Sequence, residues 1–199
     1  MREETIKIYT INELSETARQ TAYEKWLSGQ DYFFWGDENK NSLDAFLEIF
    51  DITVSDWKVS SCYYDFNFSS NYDDDINSLS GIRLMKWLWN NHKTDIYKPK
   101  YLSKNGVGSK NYISGHSKIQ IESSCPMTGY CMDNSLFYPI LQFFNKPEKH
   151  ITLEDLLRDC IDSFFADYQK DMEYSESMEA FKEDCEGNEI EFTEDGSRY

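Results

Sequence analysis

Nowhere does this sequence carry an apolar run approaching the ~18 to 20 residues that a membrane-spanning helix requires. Its charged opening, MREETIKIYT, also lacks the apolar core of a secretory signal, so the expected location is the cytoplasm. Cys62, Cys125, Cys131, Cys160 and Cys185 form an odd set with no CxxC spacing, which fits reduced thiols better than a disulfide framework. Only Cys125 and Cys131 are close enough in sequence to suggest a bridge. His92, His116 and His150 are scattered, and a zinc site would have to be assembled from distant segments. The chain lacks a GxSxG elbow, an HExxH pair and an EF-hand spacing, and KNGVGSKN has the wrong order for a phosphate loop. These absences lead to an expectation of no enzyme activity, no catalytic residues, no metal and no cofactor.

What the sequence does have is negative charge, 36 acidic against 20 basic residues, for a net charge of −16. The distribution is uneven: residues 1–80 carry −10, residues 81–150 carry +6 and residues 151–199 carry −12. Such a chain is repelled by nucleic acid and anionic membranes and drawn to basic surfaces. Solubility alone accounts for acidity in most acidic proteins, so the charge needs a location before it carries a function.

With 40% hydrophobic and 16% aromatic residues, 199 residues supply ample material for burial, and no linker or repeat requires more than one domain over 1–199. TIKIYTINEL reads as a short strand. SETARQTAYEKWL reads as a helix with Leu14, Ala18, Ala22 and Trp26 on one face, ended by Gly29. A second helix is expected over NSLDAFLEIF, through Leu43, Phe46, Leu47 and Phe50. ITVSDWKVS and SCYYDFNFS have strand period, with Ser60-Ser61 as a tight hairpin or a bulge in one long strand, and Cys62, Tyr64, Phe66 and Phe68 on one face. SGIRLMKWLWNNH and SLFYPILQFF read as helices, the latter despite Pro139. Between them, KTDIYKPKYLSKNGVGSKN reads as a basic loop and YISGHSKIQIESS as a strand. From Thr152 the pattern strengthens: TLED is a capping box, and apolar residues from Leu153 to Met172 mark one face of a long helix. SMEAFKEDCEG continues helical after a break, and NEIEFTEDG closes as a strand and turn. The expected fold is α+β: a small antiparallel or mixed sheet with several packed helices and a long amphipathic C-terminal helix.

Two acidic features stand out. Asp73-Asp74-Asp75 follows the aromatic run SCYYDFNFSSNY; neighbouring residues of an extended chain point to opposite sides, so the three do not converge on one ion. They read as a solvated turn, with Asp75 or Asn77 capping the next helix. On the long helix, Asp155, Asp159, Asp162 and Glu173 lie opposite the apolar stripe, the first three ~4.5 to 6 Å apart along the axis. Carboxylates interleaved with Tyr63, Tyr64, Tyr72, Tyr168 and Tyr174 have the chemistry of an interface for a basic partner, although buried, hydrogen-bonded tyrosines are the commoner case.

The segments YTINELSETARQTAYEKW and NEIEFTEDGSRY resemble the ends of a family of uncharacterised phage and prophage proteins. These begin with a strand and an ELSxxA(K/R)xxA helix and finish on an EFTEDG-like strand. Here Glu13, Leu14, Ser15, Ala18, Arg19 and Ala22, with Glu191 to Gly196, carry the likeness, and CPMTGYCMDNSLF is a weaker echo. The resemblance transfers no active site. It implies a phage accessory protein, similar to anti-CRISPR proteins, whose carboxylates (Asp73, Asp74, Asp75, Asp155, Asp159, Asp162, Glu173) would occupy the nucleic-acid channel of a CRISPR effector nuclease as a DNA mimic. The expected partner is thus a host nucleic-acid-binding protein, with no membrane and no strong direct binding of DNA. The alternatives are an antitoxin-like protein that neutralises a cognate toxin, and a binding module that uses the basic 81–150 segment.

Overall fold

A computed structural model describes residues 6–30, 33–96 and 125–199. The basic loop expected from Lys93 starts later, since Lys93 to Ile96 continue α4; the rest of that loop and the strand after it, 97–124, lie outside the described residues, with Lys98, Lys100, Lys104, Lys110 and His116. The elements run α1 (Glu16–Ser28), α2 (Phe33–Phe50), β1 (Ile52–Val59), β2 (Tyr64–Ser70), α3 (Asp74–Asn77), α4 (Gly81–Ile96), α5 (Met132–Asn145), α6 (Leu153–Ser175) and α7 (Met178–Gly187). This is an α+β fold with one antiparallel two-stranded sheet among the described residues and a long helix, α6, toward the C-terminus. The described residues pack as two compact units: one drawn from Met1–Phe34, Val59–Tyr64 and Tyr168–Tyr199, the other from Trp35–Lys58 and Asp65–Asp167.

The first unit joins the two ends of the chain. The Ser15 hydroxyl caps α1 by accepting from the Ala18 amide, and Leu14, Ala18 and Ala22 then recur every fourth residue toward the core. Ser177 caps α7 the same way through the Ala180 amide. Phe181 and Cys185 of α7 and Phe192 beyond it complete a core with Ile11. The Phe181 ring lies 5.3 Å from Trp26, 5.8 Å from Tyr23 and 6.3 Å from Phe192, centroid to centroid. The strands expected at both ends shrink to single bridges here. Tyr9 pairs antiparallel with Phe192 through two 2.8 Å backbone hydrogen bonds, and Phe192 also bridges Arg198. Ile6 and Ile8 are exposed, so their alternation marks no buried strand face.

The second unit is built on α2, α4, α5 and most of α6. Phe46, Phe50, Leu84, Leu88, Leu136 and Phe137 are buried, and Phe46 meets Phe137 at 5.6 Å. Helix α2 starts at Phe33, a full two turns before the segment its apolar spacing marks. Pro139 is accommodated inside α5. The hairpin turns tightly, with the Ser60 amide donating to the Tyr63 carbonyl at 2.9 Å. In β1, Asp56 has φ +52°, a left-handed kink within the strand, and Trp57 after it stays 38% exposed. Trp57 and Phe66 both lie on Phe165 of α6, at 5.6 and 5.2 Å, which is how the helix covers one side of the sheet.

Candidate functional site

Asp73, Asp74 and Asp75 are all exposed, and none of their carboxylates has a hydrogen bond or ion pair among the described residues. Neither Asp75 nor Asn77 caps the helix α4 that follows, because both lie inside the one-turn α3. Asp73 stands before α3 in extended conformation with no side-chain cap, and its carbonyl accepts from the Ile76 and Asn77 amides at 3.0 and 2.9 Å. Asn77 shapes the loop from inside: its carbonyl oxygen accepts from the Ser70 hydroxyl at 2.7 Å, and its amide donates to the Tyr72 carbonyl at 2.8 Å. Tyr72 packs edge-on against Trp87 of α4 at 5.3 Å. Three acidic side chains are thereby held outward by neutral residues beneath them.

Just after α3 the chain meets the start of α6. Ser80 bridges Thr152 antiparallel, and the Leu153 amide donates to the Leu79 carbonyl at 2.9 Å. The Asp73–Asp75 loop and the first turn of α6 therefore leave the same backbone junction. On that turn Thr152 and Asp155 close the expected capping box: the Thr152 amide and hydroxyl donate to Asp155 Oδ2 at 3.1 and 2.7 Å, and the Asp155 amide donates to Thr152 Oγ1 at 3.2 Å. Those bonds hold the Asp155 carboxyl below its usual range. Asp159 moves the other way; partial burial pushes it up, and the negative charges of Asp155 and Asp162 push it further. Three carboxylates crowded on one helix face thus raise the proton affinity of the middle one. Arg158 interrupts the ridge, its guanidinium 4.9 Å above the Phe68 ring. Glu173 is exposed on the last turns of α6 and belongs to the first unit.

Of the tyrosines beside these carboxylates, Tyr63 and Tyr174 are exposed, whereas Tyr64, Tyr72 and Tyr168 are half-buried. The Tyr174 hydroxyl donates to Glu183 at 2.6 Å. Helix α4 presents the opposite charge, with Arg83, Lys86 and Lys93 exposed and the Lys93 ammonium 4.6 Å above the Trp89 ring.

The thiols and imidazoles have structural surroundings. All five cysteines are free, so Cys125 and Cys131 do not bridge. Burial pushes the Cys160 thiol well up and the Cys185 thiol to about 11, which keeps both protonated and poorly nucleophilic at neutral pH. His92 is wedged against Phe50 at 4.5 Å and Trp87 at 5.2 Å, with Nδ1 3.5 Å from Asp95; burial lowers its proton affinity. Among the described residues, no three His, Cys, Asp or Glu side chains are placed to hold a metal ion. No described helix is long and apolar enough to cross a membrane.

One carboxylate escapes a reading by charge pattern. Asp133, fully buried at the start of α5, accepts from the amides of Met127, Thr128 and Gly129 at 2.9, 2.8 and 3.2 Å and from the Thr128 hydroxyl at 2.7 Å. It ties the CPMTGY loop to the helix. The sequence signal is a Thr-Gly turn followed four residues later by an Asp in the first helical turn.

No protein-family model, curated protein or solved structure matches the chain. The residues of the ELSxxA(K/R)xxA and EFTEDG segments have definite structural duties. Glu13 accepts from the Thr10 amide and hydroxyl, Ser15 caps α1, and Arg19 donates to the carbonyls of Ile11, Asn12 and Leu14. Thr193, Asp195 and Ser197 close the terminal turn, and their hydroxyl and amide donors draw Asp195 down to about 2.

Proposed function

We propose that the chain is a phage- or prophage-encoded acidic inhibitor, similar to anti-CRISPR proteins, that acts without catalysis in the bacterial cytoplasm. Its carboxylates occupy the positively charged nucleic-acid channel of a CRISPR effector nuclease and compete with DNA there. The observation that carries this reading is the backbone junction, at Ser80 and Thr152, of two acidic segments, the Asp73–Asp75 loop and the Asp155, Asp159, Asp162 ridge. Within the ridge, burial and then the charges of Asp155 and Asp162 raise the proton affinity of Asp159. Ridge carboxylates advance ~4.5 to 6 Å per step, longer than the ~3.4 Å axial rise per phosphate on one DNA strand, a difference that long, flexible Arg and Lys side chains can span. A channel lined by Arg and Lys to receive phosphates meets such a row with its cations already in place.

Proteins of this kind gain affinity by releasing counterions and need no base pairing, which leaves binding strongly dependent on salt. Expression of the chain in a bacterium immune through a CRISPR effector should restore plaque formation by the targeted phage. Continued immunity against every effector type tested would overturn the proposal. The exposed cations of α4 favour a second reading, a module that binds an acidic partner, and direct capture of duplex DNA by the purified chain would support it.

A further inference from the structure

Within the first unit, α1, α7 and the terminal turn enclose a cleft of about 360 Å³, at the lower end of the ~300 to 1,000 Å³ spanned by small-molecule sites. Its accessible apolar wall is formed by the half-buried Trp26 and Ile190, backed by Phe181 and Phe192, which are themselves buried in the core. Cys185, buried and held protonated, adds an uncharged floor. Two cations line the same cleft in a chain of net charge −16. The Lys25 ammonium is positioned by a 2.9 Å hydrogen bond to the Ser197 hydroxyl. Arg198 is exposed, and its guanidinium has no hydrogen bond or ion pair among the described residues.

The nearby carboxylate of Asp184 forms no ion pair with them among the described residues, and it leaves the lining with one net positive charge. Asp184 accepts from the Trp26 indole N–H through Oδ2 and from the Asn188 amide through Oδ1, both at 2.8 Å, so each of its oxygens already has a neutral donor. The wall that carries Arg198 is also fixed in place. Gly196 seats the terminal turn directly on α1, and Asp195 ties Thr193 to Ser197 across that turn. The wall of the cleft that carries Arg198 is therefore preformed.

We propose that this cleft binds a small carboxylate with a flat apolar body, the body lying against Trp26 and Ile190 and the carboxylate meeting Lys25 and Arg198. The site is independent of the acidic surface of the second unit and of any inhibitory activity. Charge-assisted hydrogen bonds give the carboxylate its selectivity, and ring burial gives the body its affinity.

The test is titration of the full chain with 3-phenylpropionate, followed by amide and indole N–H resonances in two-dimensional NMR. Its uncharged analogue, 3-phenylpropanamide, is titrated in parallel. Expected are saturable shifts at the Trp26 indole N–H and the Gly29 and Gln30 amides, with the neutral analogue at least about tenfold weaker. The Lys25→Gln, Arg198→Gln double variant should keep its spectrum and melting temperature yet lose the same factor. Absence of saturable shifts at the cleft would overturn the proposal. So would equal binding of the two probes, or undiminished binding by the double variant.

Discussion

Gly196 lies so close to Ala18 that a Cβ added to the glycine would stand 2.1 Å from the Ala18 carbonyl oxygen. Its φ of +80° adds a second requirement for glycine, because side-chain-bearing residues rarely adopt that conformation. The two ends of the chain are therefore locked by backbone contact, and Gly196→Ala should both strain the turn and push it off α1. Chemical denaturation should show a loss of about 2 kcal/mol or more. A variant as stable as the parent would mean that the turn is not seated on the helix.

Asp133 offers a test of the second unit. Replacement by Ala leaves three backbone N–H groups and the Thr128 hydroxyl without their buried acceptor, and a loss on the order of 3 kcal/mol is expected. Asn, which keeps one acceptor oxygen, should lose less. If Ala and Asn are both neutral in equilibrium unfolding, the loop is not held by this carboxylate.

The crowded ridge predicts a stability effect of defined sign. Asp159 has a folded-state pKa raised above its ordinary 3.8, so its contribution to stability is full below that value and diminishes as pH rises through the folded pKa. At neutral pH the ionised form is therefore unfavourable, and Asp159→Asn should raise the melting temperature. The gain should fade as the medium is acidified below 3.8. A lower melting temperature for the variant at pH 7 would show that the carboxylate is stabilised by a partner rather than repelled by its neighbours.

Much of this architecture was legible because it rests on local periodicity. The apolar face from Leu153 to Phe165, the Thr152–Asp155 box and the spacing of Leu14, Ala18 and Ala22 each depend on residues three or four apart, which a sequence displays directly. The left-handed kink at Asp56 was not legible, since a positive φ leaves no mark on the alternation of Ile52 and Val54. Asp133 was missed for a related reason. Its burial depends on where the CPMTGY loop folds back, and composition does not separate a buried carboxylate from an exposed one. The exposure of Asp73 to Asp75 was legible because three adjacent charges are too costly to bury. Their neighbourhood with α6 was not, because the bridge between Ser80 and Thr152 joins positions distant in sequence.

The most direct test of the central claim is competition between the chain and target DNA for a susceptible CRISPR effector, using Asp73→Asn, Asp74→Asn, Asp75→Asn and Asp159→Asn combined. Asp155 is left intact because it caps α6, and its loss alone would cost about 1 kcal/mol of helix stability. Removing four exposed charges should weaken inhibition at least tenfold, a change of about 1.4 kcal/mol or more, while the melting temperature does not fall. Inhibition by the parent should itself weaken as salt rises from low to physiological levels, where the screening length contracts to about 8 Å. A combined variant that displaces DNA as well as the parent does, at every salt concentration, would contradict electrostatic mimicry by this surface.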